Sequence, residues 1–439
     1  MLENFEDYSK VVSLDSSPFV GISDLCSFYE ELCKRMGLNF ESLENKQGIM
    51  VYTNKLSPEI FIYNDIETEE PGPHSLWDET NQNPFEATLK KDQLFGLGVA
   101  GSKISFLTQL YALEKLVKEA KSPSVCLFAG SFTNLKKDIE RPLVKTALQA
   151  SKQIIVSRPT SSRLLLGNCG YAKVKFQIPL DANESELRKR HLEGEDTSTQ
   201  TRIFRGRTTH GASVEKVRDE DAFIKLIEYL RMLPEAVLVL SMEAGHSVNA
   251  VASEAILELN LSQPVGKGVA KKLLDLVDEI NLLIEKYKSM RGDDSSKLPN
   301  LNIGKLRHYE DMVELGMSFY LPHDYTKEDL LDELKNIESN LEKDKISFKL
   351  SEFLAGFEFK NTTENTKRWQ DAFKKHELEW RTGDSVMKSA SRKLSAFGES
   401  MVQFGLASGL GNINEPNESV DSAQLKKSID LFYTIMEQS

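Results

Sequence analysis

Cysteine is scarce in this chain. There are four in 439 residues, Cys26, Cys33, Cys126 and Cys169, and none has Cys-x-x-Cys spacing. That excludes a disulfide framework and a cysteine-based zinc site, and it leaves buried free thiols in a reducing cytoplasm as the plain reading. Long apolar runs are missing too. No stretch approaches the ~18 apolar residues of a membrane span. The acidic opening MLENFEDYSKVV has neither the basic nor the apolar region of a secretory leader. Positive charge is in deficit: 55 Lys and Arg against 67 Asp and Glu leave a net charge of −12. Such a surface disfavours nucleic acid and anionic lipid as partners. The basic spots GKGVAKK (266–272) and RIFRGR (202–207) are short and read as solvated surface. There is no Gly-x-Ser-x-Gly, no P-loop, and no cysteine beside a histidine.

What is present is alternation. Residues 22–37 space their apolar side chains as a helix and stop at Gly37. IMVYTN (49–54) and EIFIYND (59–65) read as strands, 102–120 as a helix, SVCLFAG (124–130) as a buried strand, 141–151 as a helix and QIIVS (153–157) as another buried strand. Apolar runs of that kind belong to a parallel or mixed sheet covered on both faces. After residue 170 the pattern changes to half-wet strands at 171–180, 198–213, 236–243, 254–261, 301–307 and 313–321, with helices at 219–233, 268–290 and 327–341. The charged stretch DANESELRKRHLEGED reads as a flexible connection. The expected organisation is an α/β domain built from residues 1–168 and 343–439, with an α+β domain, 169–342, inserted in it. KISFKLSEF and MVQFGL are expected as strands of the returning α/β part, and 422–438 as a closing helix.

The run FIYNDIETEEPGPHSLWDETNQNPFEATLKKDQLFGLGVAGSK (61–103) resembles the metal-site segment of the M20 metallopeptidases, which include desuccinylases, deacetylases and dipeptidases. Pro71-Gly72, Trp77, Pro84-Phe85, Gly96, Gly98 and Lys103 stand in the family's order. VSRPT (156–160), FRGRTTHGASVEKVRDEDAFIKLIEYL (204–230), MEAGHSVNAVASEAILELNL (242–261), VELGMSFYLP (313–322) and NEPNESV (414–420) are similar to its later motifs, also in order. The resemblance implies a zinc-exopeptidase-like α/β domain carrying a lid domain that often serves dimerisation.

It also implies which residues stand where the chemistry was. The first-strand histidine falls on Asp65, the aspartate two residues later on Glu67, and the bridging aspartate on Gly101. The Glu-Glu pair falls on about Phe132 and Thr133, the glutamate before Pro-Thr on Arg158, and the C-terminal histidine on Asn414. A two-zinc hydrolase needs nitrogen and oxygen ligands and a carboxylate base, and each ligand position is substituted. A guanidinium at about 4 Å from a divalent cation is repelled by roughly 8 kcal/mol at an effective dielectric of about 20. Arg158 is therefore expected to reach Asp65 or Glu67 and take over the metal's electrostatic role, with no metal and no cofactor bound.

In the lid, His210 falls on the histidine that steadies the oxyanion across the dimer; a His capping the loop into the next turn is the alternative. Asn249 falls on a substrate-contacting asparagine and Tyr320 on the arginine that holds the substrate carboxylate. His74, His191, His246, His308 and His376 have no metal spacing. The reading that follows is a catalytically inactive pseudoenzyme of M20 type, an interaction, regulatory or structural subunit whose partner is itself, an active paralogue or an unrelated protein. The alternatives are a hydrolase of peptides or N-acyl amino acids rebuilt around Asp65 and Glu67, and a small-molecule binder or sensor using the old cleft. GLGVAG (96–101) also matches Gly-x-Gly-x-x-Gly, a weak dinucleotide signal that no acidic residue follows at the right place.

Overall fold

The computed structural model describes residues 3–194, 199–234, 237–260, 268–291, 299–386, 390–405, 413 and 416–439. The chain forms two compact units, Met1–Asn168 with Glu358–Ser439, and Cys169–Phe357.

The first unit opens with α1 (Phe5–Ser13) and α2 (Ser23–Met36). On α2, Leu25, Cys26, Tyr29, Leu32, Cys33 and Met36 make one buried stripe, and Gly37 ends the helix at φ 69°. Then come β1 (Phe40–Ser42), β2 (Gly48–Tyr52), β3 (Ile60–Asp65), β4 (Thr88–Lys90), β5 (Gln93–Phe95), α3 (Ser102–Lys118), β6 (Val125–Gly130), α4 (Leu135–Asp138), α5 (Pro142–Ala150), β7 (Gln153–Ser157) and β8 (Leu164–Asn168). β3 runs parallel to β6 on one side and to β7 on the other. β6 and β7 are buried along their whole length, as strands covered on both faces must be.

The second unit holds β9 (Gly170–Pro179), α6 (Ala182–Leu192), β10 (Gln200–Arg205), α7 (Ala222–Met232), β11 (Leu238–Ala244), β12 (Glu254–Asn260), α8 (Val269–Arg291), β13 (Asn300–His308), β14 (Met312–Leu321), α9 (Lys327–Asn340) and β15 (Ser347–Leu354). Among the described residues its strands make a seven-stranded sheet in the order β10-β12-β11-β13-β14-β9-β15, antiparallel throughout. Two expectations need correction. The connection expected to be flexible is the helix α6: Arg190 pairs with Glu186 one turn away, and the Glu184 carboxylate accepts the Val269 amide at the start of α8. The insertion also ends later than residue 342. Ser347–Leu354 pairs with β9 in this antiparallel sheet, so KISFKLSEF belongs to the second unit, and the first resumes at Glu358.

The returning chain adds β16 (Phe357–Glu358), α10 (Thr363–Lys375), β17 (Thr382–Ser385), α11 (Ser391–Leu394), β18 (Ser400–Phe404), β19 (Ser419–Asp421) and α12 (Ser422–Glu437). β18 lies parallel to β7, and β17 parallel to β8. The mixed sheet runs β1-β2-β6-β3-β7-β18-β8-β16, with β17 beside β8, while β19, β5 and β4 form a small sheet of their own. α12 lies along α3: the Thr108 and Ser428 hydroxyls are 3.2 Å apart, and the Lys115 ammonium is 4.6 Å from the Tyr433 ring centroid. All four cysteines are buried, and none is joined to another in a disulfide. Among the described residues no helix is long and apolar enough to cross a membrane.

Candidate functional site

β3, β6, β7 and β18 are mutually parallel, so their C-terminal ends share one edge of the first unit's sheet. Ligands of open α/β sheets gather at such edges. Asp65 ends β3 opposite Gly130, the last residue of β6, and Ser131, Phe132 and Thr133 follow at once. The register is pinned from beneath. The buried Asn64 amide exchanges hydrogen bonds with Gln109 on α3 at 2.7 and 3.0 Å, and Gln109 also donates to the Ser157 hydroxyl on β7 at 3.1 Å.

Asp65 and Glu67 are spoken for. The Phe132 and Glu67 amides donate to Asp65 Oδ1 at 3.1 and 3.2 Å. The Ser131 hydroxyl donates to Glu67 Oε1 at 3.1 Å, and the Thr133 hydroxyl and amide donate to Oε2 at 2.8 and 3.3 Å. Burial pushes the Asp65 carboxyl up to about 7; the two amides oppose the shift, and the charges of Glu67 and Glu69 add to it.

Arg158 does not join them. Its Nη1 donates to the Ser385 hydroxyl at 3.0 Å and to Gln403 Oε1 at 3.3 Å, and neither Asp65 nor Glu67 enters an ion pair among the described residues. The expected Arg158 ion pair is therefore absent. β17 and β18 bring neutral acceptors within its reach, while Asp65 and Glu67 turn toward the loop after β6. Lys393 comes to that loop instead, with its ammonium 4.4 Å from the Phe132 ring centroid and 3.5 Å from the Phe132 carbonyl. Asn414 lies outside the described residues.

Gly101 stands just before α3. A Cβ built there has the Gly98 backbone as its nearest neighbour, at 3.5 Å or more, an ordinary van der Waals contact. The glycine-rich loop holds a carboxylate of its own chain. The Gly98 and Ala100 amides donate to the two oxygens of the buried Glu418, each at 2.8 Å. Gly98 sits at φ 83°, where a Cβ would lie 2.4 Å from the Lys103 side chain. Lys103 is buried beside it; burial pushes its ammonium down to about 8, against the pull of Glu418 and Asp15. These contacts account for GLGVAG without a dinucleotide. Next to Glu418, Asn417 accepts the Glu79 amide at 2.9 Å and donates to the Leu76 carbonyl at 3.2 Å. Glu418, Asn417 and Lys393 are the residues that sequence reasoning missed. The Asn-Glu that closes NEPNESV is the signal that points to the first two.

The second unit groups the other three candidates. His210 caps a short turn, with its Nδ1 accepting the Ala212 amide at 3.2 Å, so the neutral ring carries its proton on Nε2. Its ring centroid is 5.6 Å from that of Tyr320, which is 5.7 Å from that of Tyr171. The Tyr171 hydroxyl donates to Asn249 Oδ1. Below them, Asn302 donates to the Val248 and Ala250 carbonyls at 3.0 and 3.1 Å and fixes the loop bearing Asn249. The capping role of His210 is thus realised. Burial holds both phenols well above their ordinary range, so both stay protonated at neutral pH.

No family model and no curated protein matches this chain. Solved structures do. The M20 family metallo-carboxypeptidase Sso-CP2 from Sulfolobus solfataricus is similar at 15% identity and a TM-score of 0.57, over 100% of this chain and 99% of that one. The aminoacylhistidine dipeptidase from Vibrio alginolyticus is similar at 11% identity and a TM-score of 0.55, over 100% and 97%. The di-peptidase Dug1p from Saccharomyces cerevisiae is similar at 11% identity and a TM-score of 0.53, over 99% and 96%. At these identities the likeness establishes the fold, which is that of the M20 metallopeptidases over the full chain. Three of the positions that the sequence resemblance assigns to metal chemistry carry no metal donor. Gly101 offers no ligand, Phe132 no donor side chain and Arg158 a positive charge. Among the described residues no three His, Cys, Asp or Glu side chains cluster to hold an ion.

Proposed function

We propose that this chain is a non-hydrolytic protein of M20 fold, acting as an interaction, regulatory or structural subunit in a reducing compartment such as the cytoplasm. One observation carries the reading. The two carboxylates at former ligand positions already accept hydrogen bonds from Glu67 and from residues 131–133, and no third ligating side chain joins them among the described residues. A zinc pair would have to displace these donors and would still lack a bridging carboxylate at Gly101. The buried cysteines, none joined to another in a disulfide, support the compartment. The partner is a protein: a second copy, an active paralogue or an unrelated chain. The test is elemental analysis of protein purified without chelators, then melting and assay with zinc added, using dipeptides and N-acyl amino acids as substrates. The expected result is less than about a tenth of a metal ion per chain, an unmoved melting temperature and no turnover. One or two tightly held ions per chain would overturn the reading.

A second reading has one observation in its favour. Asp65, pushed up to about 7, has the proton affinity of a general base working near neutral pH. It predicts turnover that Asp65→Asn abolishes while the fold is kept. Equal turnover in the variant and the parent would remove Asp65 from the chemistry.

A further inference from the structure

β10 is an edge of the second unit's sheet, and among the described residues it pairs only with β12. An open edge presents a row of backbone donors and acceptors to any extended chain. Its side chains are exposed except for Phe204, which packs toward Tyr229 on α7 with ring centroids 5.6 Å apart. Arg202 lies over the same Tyr229 ring, so the alternate residues Thr201, Ile203 and Arg205 face the other side. Ile203 is 58% exposed there, opposite Ile256 of β12.

The charge of this edge runs against that of the chain. Residues 199–210 hold Arg202, Arg205 and Arg207 and no acidic residue, in a protein of net charge −12. Glu254 stands opposite Arg205 on β12 and Glu258 opposite Thr201, yet none of the three arginines is in an ion pair among the described residues. The other edge differs. On β15, Glu352 is paired with Lys173 of β9 at 3.1 Å. Arginines on an edge keep like copies apart, and here the register makes that concrete. A two-fold antiparallel pairing centred between Ile203 and Phe204 sets Arg202 directly against Arg205 of the other copy. Centred on Ile203, it still crowds four arginines into one strand pair. Like charges directly opposite destabilise a strand pair.

We infer that β10 is a docking edge for an extended acidic segment of a partner protein, which adds to the sheet as a further strand. Backbone pairing supplies the affinity, the arginines select acidic side chains, and Ile203 offers an apolar contact between them. A polypeptide is favoured over a polyphosphate because the edge offers main-chain acceptors as well as positive charge. The inference gives a partner class to the interaction role proposed above but rests on other residues. Its failure in a protein that stays metal-free and inactive would remove this surface alone.

The test uses labelled, N-acetylated eight-residue peptides on the full-length chain, read by fluorescence anisotropy at low salt and by amide exchange of residues 200–205. The expected result is that a Glu-Val alternating peptide binds and slows exchange at the edge, and that a Lys-Val peptide does not bind. Arg202→Glu, Arg205→Glu and Arg207→Glu together should weaken binding at least tenfold with unchanged melting. The same Glu-Val peptide N-methylated at every backbone nitrogen, which has no N–H to donate to a strand, should fail to bind. Equal binding of the N-methylated peptide, or no loss in the triple variant, would overturn strand addition. Concentration-dependent edge protection without peptide, with a dimer in sedimentation, would assign the edge to a second copy and overturn it as well.

Discussion

Two polar regions of this chain use their hydrogen-bonding capacity in opposite ways. At the sheet edge of the first unit, Asp65 and Glu67 accept five hydrogen bonds from the chain itself. On and just after β10 of the second unit, the side chains of three arginines lack such partners among the described residues, and the strand's Arg205 carbonyl accepts one exposed lysine, Lys225, at 2.8 Å. A group saturated internally stabilises structure but has little left for a ligand; an unsaturated one adds little stability and is available for binding. The comparison teaches where to look for a binding function in this fold. It also sets the scale of the experiments that follow.

The largest effect is expected beside the saturated region. Glu418→Ala removes the acceptor of two buried amides and the negative charge nearest the buried Lys103 ammonium. Leaving a buried donor without its acceptor costs about 1–3 kcal/mol, so with two amides stranded urea unfolding should show a loss of about 3 kcal/mol, with Glu418→Gln losing less. A loss under about 1 kcal/mol would mean that the glycine-rich loop does not depend on its carboxylate.

The next contrast lies within the second unit, where His308 is buried and neither ring nitrogen has a hydrogen-bond partner among the described residues. Burial and then the Arg188 charge push it down to about 3. A histidine with a depressed folded value binds its proton more readily when unfolded, so stability falls as pH drops from about 6.5 toward 3. Between pH 7 and pH 5 this amounts to about 2 kcal/mol. His308→Gln should flatten that slope in urea titrations at the two pH values; an unchanged slope would place the acid sensitivity elsewhere.

A smaller effect of opposite sign is expected at Asp65. Its raised carboxyl means that the charged form is disfavoured when folded, so its contribution to stability is lost as pH rises from about 4 through about 7. Asp65→Asn keeps an oxygen for the Phe132 and Glu67 amides and cannot ionise. At pH 8 it should stabilise by about 1 kcal/mol, and at pH 4 it should be neutral or slightly destabilising. Thr133→Val, which takes one hydroxyl from Glu67, should cost about 1 kcal/mol at either pH. Thermal melts at both pH values check the pair; destabilisation by Asp65→Asn at pH 8 would give the charged carboxylate a role beyond this network.

How much of this was legible before the structure depends on the kind of signal. Buried runs such as VCLFAG and QIIVS declare parallel strands because both faces must be apolar, and the ordered motifs from Pro71 to Lys103 carry the fold. The juxtaposition of Asp65, Glu67, Phe132 and Thr133 follows from β3 and β6 ending together. The partners of Arg158 were not legible, because Ser385 and Gln403 are neutral residues more than 200 positions away, brought beside it by β17 and β18. α6 was hidden because its apolar face is thin and its stability comes from charged side chains that anchor elsewhere: Glu184 on Val269, and Arg188 on the Leu240 carbonyl. β15 was assigned to the wrong unit because a strand's pattern states that it pairs but not with which sheet.

The smallest expected effect is the sharpest test of the comparison. Arg202, Arg205 and Arg207 are exposed and form no ion pair among the described residues, so replacing all three with glutamate should change unfolding free energy by no more than about 0.5 kcal/mol. The sign should be slightly unfavourable, since Glu254 stands opposite Arg205 and Glu258 opposite Thr201, and the introduced carboxylates repel them. Urea melts at low and high salt measure it, and the loss should shrink at high salt, which screens the added repulsion. A loss above 1 kcal/mol would mean that these side chains hold the sheet together through contacts of their own. The edge would then belong with the saturated groups, and its claim to a binding role would weaken. A negligible loss, set against a binding change of tenfold or more, would separate what this strand does for the fold from what it does for a partner.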